Sequence, residues 1–151
     1  MYQRRTTKKC AQNPRIHHFS LQGLPAGHTL ALNLDLGTLS YLVYEHDTLR
    51  LLAQEYFCPS ELSVLSPLLE QHPYFCPYEH LYACYYYSST LHEAIERARH
   101  LLLKAAEEGK WDQEIRPIRD ALSRTRIKLR SLGLDVLTLH QMGYLLHCNV
   151  A

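Results

Sequence analysis

The spacing of apolar residues changes twice along this chain, from two to about 3.6 and back to two. That order limits the fold more than composition does. Leucines at 30, 32, 34 and 36 alternate with Ala31, Asn33 and Asp35, the period of a half-buried strand. The runs TLSYLVYEH and TLRLLA continue it, with Gly37 and the His46-Asp47 pair at the turns, so an antiparallel sheet is expected over about 28–54. Helical signals begin at Cys58. Phe57-Cys58-Pro59-Ser60-Glu61 and Phe75-Cys76-Pro77-Tyr78-Glu79 repeat one local pattern. Proline suits a first helical position, and a glutamate in the first turn reaches back to the cap. Helices are therefore expected over 59–71 and 77–87, with Pro67 kinking or breaking the first.

Two longer periodic runs follow. Leu91, Ile95, Ala98, Leu102 and Ala105 predict a helix over about 90–108, closed by Gly109. Ile115, Ile118, Leu122, Thr125, Leu129 and Leu132 form the stripe of another over 113–132, closed by Gly133. Two short strands around Gly143 then predict a β-hairpin over 134–148.

With 151 residues, 46% of them hydrophobic and 21% charged, the chain suits one domain over 16–151 with a buried core. That balance excludes a disordered or collagen-like protein. No apolar run reaches the roughly 18 residues of a membrane span, so no membrane partner and a cytoplasmic setting are expected. Five cysteines, an odd number, point to reduced thiols rather than a disulfide framework. The net charge of +1 conceals an uneven distribution. Residues 1–15 form a flexible basic arm with a charge of +5; residues 16–114 carry −8 and residues 115–151 carry +4. Positive charge gathered on an arm and one helix could meet a polyanion.

The stripe of 113–132 leaves Arg116, Arg119, Ser123, Ile127 and Arg130 on a different face from its apolar residues, with Asp120 and Arg124 at its far edge. Pro117 suits its first turn, which places Arg116 and Arg119 where a helix entering a major groove reads base edges. Arg124, Arg126, Lys128 and Arg130 are placed for phosphates.

Strands, helices and a terminal hairpin, in that order, resemble the OmpR/PhoB family of winged helix-turn-helix DNA-binding domains. Three segments carry the resemblance: Phe57-Cys58-Pro59-Ser60-Glu61 before Leu62, Val64 and Leu65; Ser123-Arg124-Thr125-Arg126-Ile127-Lys128-Leu129; and Gly143-Tyr144-Leu145-Leu146. The chain departs from the family pattern at the wing, with His140, Gln141 and Leu145, and at the caps, with Cys58 and Cys76. The connection over 88–112 has also grown a helix of its own. The resemblance implies an α+β winged helix with an N-terminal antiparallel sheet, three core helices, one inserted helix and a β-hairpin wing. It implies sequence-specific binding of double-stranded DNA in bacterial-type transcription regulation, without enzymatic activity or cofactor. The DNA-facing set would be Arg116, Arg119, Asp120, Ser123, Arg124, Arg126, Lys128, Arg130 and His140. The 27 residues before the sheet are too few for a receiver domain, so the expectation is a domain standing alone, with a homodimer or tandem array on DNA as its candidate assembly.

Two other classes compete. A winged helix used for protein association would employ the tyrosine-rich 82–108 segment, where Tyr82, Tyr85, Tyr86 and Tyr87 suit core and interface. A zinc module would use His72, Cys76, His80 and Cys84, with Cys58 also at hand, although four ligands in one row do not close a tetrahedron. Enzyme motifs such as GxSxG, a P-loop or HExxH are missing, and His17-His18 reads as a solvated segment.

Overall fold

The computed structural model describes residues 15–148; apart from Arg15, the basic arm expected over 1–15 lies outside them. Four antiparallel strands come first: β1 (Ile16–Phe19), β2 (His28–Asn33), β3 (Thr38–Glu45) and β4 (Thr48–Tyr56), side by side in chain order. The His46-Asp47 turn is the expected one. Both residues have positive φ, 54° and 60°, as a two-residue hairpin matching strand twist requires.

Two strand expectations need correction. The leucine alternation does not run through 36, because β2 ends at Asn33. There the Asn33 side-chain oxygen accepts the N–H groups of Asp35 and Leu36, folding the chain into a turn that leaves Leu36 72% exposed. His17 and His18 belong to an edge strand, β1, paired from Ile16↔Asn33 to Phe19↔Leu30. Both side chains face solvent, so no burial pattern marked that strand in the sequence.

Next comes α1 (Pro59–Gln71), at the expected bounds. Pro67 neither breaks it nor ends it. A proline there forfeits one helical hydrogen bond, a cost of about 3 kcal/mol or more. Pro67 itself is buried beside Val64, Leu65, Leu68 and Leu69, whose burial outweighs that loss. A two-residue strand, β5 (Cys76–Pro77), leads into α2 (Tyr78–Tyr87). Pro77 is thus the extended N-cap (φ −64°, ψ 157°) rather than the first helical residue, because its backbone pairs with Gly143.

The next helix, α3 (His92–Glu107), ends as expected before Gly109, whose φ is +71°. It is followed by α4 (Trp111–Arg130), which starts two residues earlier than expected. Pro117 therefore sits inside α4 rather than in its first turn, and Arg116 and Arg119 lie along the body of the helix rather than at its tip. Finally β6 (Leu134–Leu139) and β7 (Gly143–Cys148) form the expected hairpin, and β5 extends it to a three-stranded sheet ordered β5-β7-β6.

The fold is thus α+β, and one core joins both sheets through the helices. Leu30, Leu32 and Leu39 from the first sheet, Leu65 and Leu68 from α1, Leu81 from α2, Ile115, Ile118 and Leu129 from α4, and Leu134 and Leu146 from the hairpin are all essentially inaccessible. Each such side chain contributes about 1.5–3 kcal/mol. The predicted α4 stripe of Ile115, Ile118, Leu122, Thr125 and Leu129 is wholly buried, which fixes the opposite face toward solvent. Within it, the Thr125 hydroxyl is fully buried and has no hydrogen-bond partner. Thr125→Val keeps the shape and removes the orphaned polar group, so it is expected to stabilise the fold by about 1 kcal/mol. A higher urea midpoint at unchanged m-value is the expected reading; a lower one would show that the hydroxyl is satisfied in solution.

Candidate nucleic-acid interface

The solvent face of α4 carries Arg116, Arg119, Ser123, Ile127 and Arg130, all exposed, as the sequence stripe required. Beside it runs the β6–β7 hairpin, with His140 exposed at its turn. Asp120 is exposed on the same helix.

The cations of α4 divide by what they touch. Arg116 has no acidic partner among the described residues. Arg119 lies 3.3 Å from Asp112, whose side chain is 79% exposed, so the pair is weak and solvated. Ser123 donates its hydroxyl to the Arg119 carbonyl. Arg126 donates to Asp135 at 2.7 Å, and Arg130 lies 3.6 Å from the other oxygen of that carboxylate. Burial works against the Asp135 charge, but hydrogen bonds from Arg126 and the Val136 N–H outweigh it and hold the carboxyl below its ordinary pKa.

Lys128 and Arg124 point toward α1 instead. The Lys128 ammonium donates to Glu61 at 2.8 Å and to the Tyr56 carbonyl at 2.7 Å. Arg124 reaches the second Glu61 oxygen at 3.4 Å and donates to the Ser60 hydroxyl. Glu61 itself is buried and accepts the Cys58 N–H, closing the start of α1. Its burial raises its pKa, yet the bonds from Lys128 and Cys58 prevail and keep the carboxyl below its usual range. The phosphate role expected of Lys128 thus competes with an internal one that occupies its donors.

Between α4 and the hairpin lies an open groove of about 360 Å³, walled by Arg119, Ser123 and Arg126 on one side and Thr138, His140 and Tyr144 on the other. Its floor includes Tyr78, set edge-on to Trp111 at 5.2 Å and to Tyr144 at 5.5 Å between ring centroids. Burial, and then the neighbouring Tyr144, push the Tyr78 hydroxyl up to about 12. These rings belong to three separate elements; Tyr78 and Tyr144 stood in separate sequence motifs, and Trp111 in none. Trp111, the single tryptophan, lay just before the expected helix start.

The zinc alternative gains nothing from the arrangement. Among the described residues, no three His, Cys, Asp or Glu side chains gather as metal ligands. His72 uses both ring nitrogens, accepting the Gln22 N–H and donating to the Leu146 carbonyl. Burial pushes the thiol pKa of Cys84 up to about 11 and that of Cys76 further still. The four cysteines among the described residues are unpaired. No described helix is long and apolar enough to cross a membrane. No protein-family model, curated protein or solved structure matches the chain.

Proposed function

We propose that the chain binds double-stranded DNA as a winged helix-turn-helix regulator of transcription, with α4 in the major groove and the β6–β7 hairpin as the wing. The observation that carries this reading is the exposed stripe Arg116–Arg119–Ser123–Arg130, in which Arg116 meets no acid, running beside an open hairpin. The order of elements supports it, including the short β5 strand that ties the start of α2 to the hairpin. Arg116 and Arg119 are assigned to base edges, and Arg126 and Arg130 to phosphates, with Asp135 holding both cations in register. Lys128 and Arg124 brace α4 from behind through Glu61.

Fluorescence titration of mixed genomic fragments at low salt tests the proposal, since phosphate contacts are strongest there. Arg116→Ala is expected to weaken binding by about 1–3 kcal/mol and relax base preference. Arg130→Ala is expected to weaken all sequences alike and to lower the salt slope by about 0.9. Absence of binding at low salt overturns the reading.

A second reading, protein association, is favoured by one observation. On the outer face of the first sheet Tyr44, Leu49 and Leu51 stand 56%, 53% and 53% exposed, and Leu91 and Leu103 on the 82–108 side are more exposed still. Tyr44 and Leu49 are cross-strand partners, and contiguous apolar exposure of that kind is a mark of contact surfaces.

A further inference from the structure

The groove beside α4 continues past Arg119. A second open cavity of about 470 Å³ shares Tyr78, Arg119 and His140 with the first and adds Ala106, Trp111, Asp112 and Gln141. Both volumes fall within the roughly 300–1,000 Å³ of small-molecule sites. We propose that this groove binds a nucleoside monophosphate, its phosphate between Arg119, Arg126 and His140 and its base against Tyr78 and Trp111. The proposal goes beyond DNA binding and does not depend on it.

The two ends of the groove share Tyr78, Arg119 and His140 but differ in the rest of their lining. At the α4–hairpin end the Arg119 and Arg126 guanidinium groups, the His140 imidazole and the Thr138 hydroxyl line one cavity, Arg126 also holding Asp135 at 2.7 Å. A carboxylate has two oxygens to offer such a set; a phosphate has three, and it matches the arginine fork. At the other end Trp111 joins Tyr78 in edge-to-face contact, beside Asp112, Gln141 and the shared Arg119 and His140. A bare anion would leave that end empty, and an apolar ligand would cover charged arginines at a cost. A mononucleotide meets both ends.

Two further details fit an incoming phosphate and base. The only acid bonded to Arg119 among the described residues is Asp112, which lines the second cavity but is 79% exposed, so that contact is given up at little cost. Gln141 holds a left-handed φ of 62°, a conformation that favours glycine, and lines the cavity at its aromatic end. A side-chain amide there can both donate to and accept from a base edge, which glycine could not do.

Trp111 makes the test direct, because it is the only tryptophan and lines the groove. The full chain, without DNA, is titrated with each of the four ribonucleoside monophosphates, with adenosine and with inorganic phosphate. Tryptophan fluorescence and calorimetry follow the binding. At least one nucleotide is expected to saturate at one per chain, about tenfold or more tighter than either adenosine or phosphate. Arg119→Ala is expected to remove about tenfold of that affinity. Gln141→Gly relaxes the turn, so it folds, and is expected to weaken the nucleotide severalfold while leaving phosphate unchanged. No saturation by any nucleotide, phosphate binding as tightly as the nucleotides, or unchanged affinity in both variants overturns the proposal. Because no duplex is present, these results stand apart from the DNA titration.

Discussion

Lys128→Met is expected to cost about 3 kcal/mol of folding stability, although it removes a partly exposed surface lysine. The reason lies in Glu61, which is 3% exposed and takes its positive charge from Lys128 at 2.8 Å and Arg124 at 3.4 Å. Removing one partner of a buried ion pair typically costs about 3–5 kcal/mol, because the other charge stays behind unpaired. Arg124 remains and is half-exposed, which holds the expected loss to the lower end. The double variant Lys128→Met with Glu61→Leu is expected to recover most of the loss, since an apolar pair of similar size satisfies the site. It still sacrifices the Cys58 cap, so full recovery is not expected.

The pH dependence separates this from a packing effect. In the parent chain the Glu61 carboxyl is held below its unfolded pKa of about 4.3, so it contributes stability above that pH. The contribution is lost as pH falls through the depressed folded value. In Lys128→Met the lysine's share of that lowering is lost while burial still acts, so the carboxyl is depressed less than in the parent. The deficit relative to the parent is then largest at neutral pH and shrinks on acidification through the carboxylate range. Urea unfolding at a series of pH values measures both slopes. A deficit under about 0.5 kcal/mol, or one independent of pH, would show that Glu61 does not need Lys128.

That network also marks where sequence reading reaches its limit. The helix bounds were legible because local physics sets them: Pro59 and Glu61 start α1, Gly109 follows α3, and the α4 stripe buries every residue its period selects. The Leu30–36 alternation failed because Asn33 can cap its own turn, and no period registers a side chain that bonds its own backbone two and three residues on. Starting α4 at 113 instead of Trp111 had a larger consequence. It put Asp112 outside the helix, and so hid that Asp112 and Arg119 lie two turns apart on one face. The positive face of α4 could be read from spacing. Which of its cations are neutralised could not, because Glu61 and Asp135 come from other elements. The aromatic floor was hidden for the same reason, Tyr78, Trp111 and Tyr144 being brought together only by the packing of α2, α4 and β7.

Gly143→Ala is expected to be as damaging as any single methyl group added to this chain. A Cβ at Gly143 would stand 2.0 Å from the Cys76 carbonyl oxygen and 2.9 Å from the Pro77 Cα, and its φ of 155° already disfavours a side chain. All the atoms it meets are backbone, so relief requires that β5 and β7 separate. Their separation would undo the pairing of Cys76 with Tyr144 and of Pro77 with Gly143. Pro77 is also the N-cap of α2, so the start of that helix would move with it, and Tyr78 would leave its place between Trp111 and Tyr144. Overpacking against a fixed partner costs about 1–3 kcal/mol, and backbone strain adds about as much again, so a loss of roughly 3 kcal/mol or more is expected. Gly109→Ala supplies the control. Its φ is +71°, yet nothing lies within 4 Å of the added carbon, so it is expected to cost only the conformational penalty of about 1 kcal/mol. Thermal unfolding of the two variants gives the comparison, and tryptophan fluorescence reports on the aromatic cluster through Trp111. Equal losses in the two, or an unaltered Trp111 signal in Gly143→Ala, would mean that β5 does not hold the hairpin against α2.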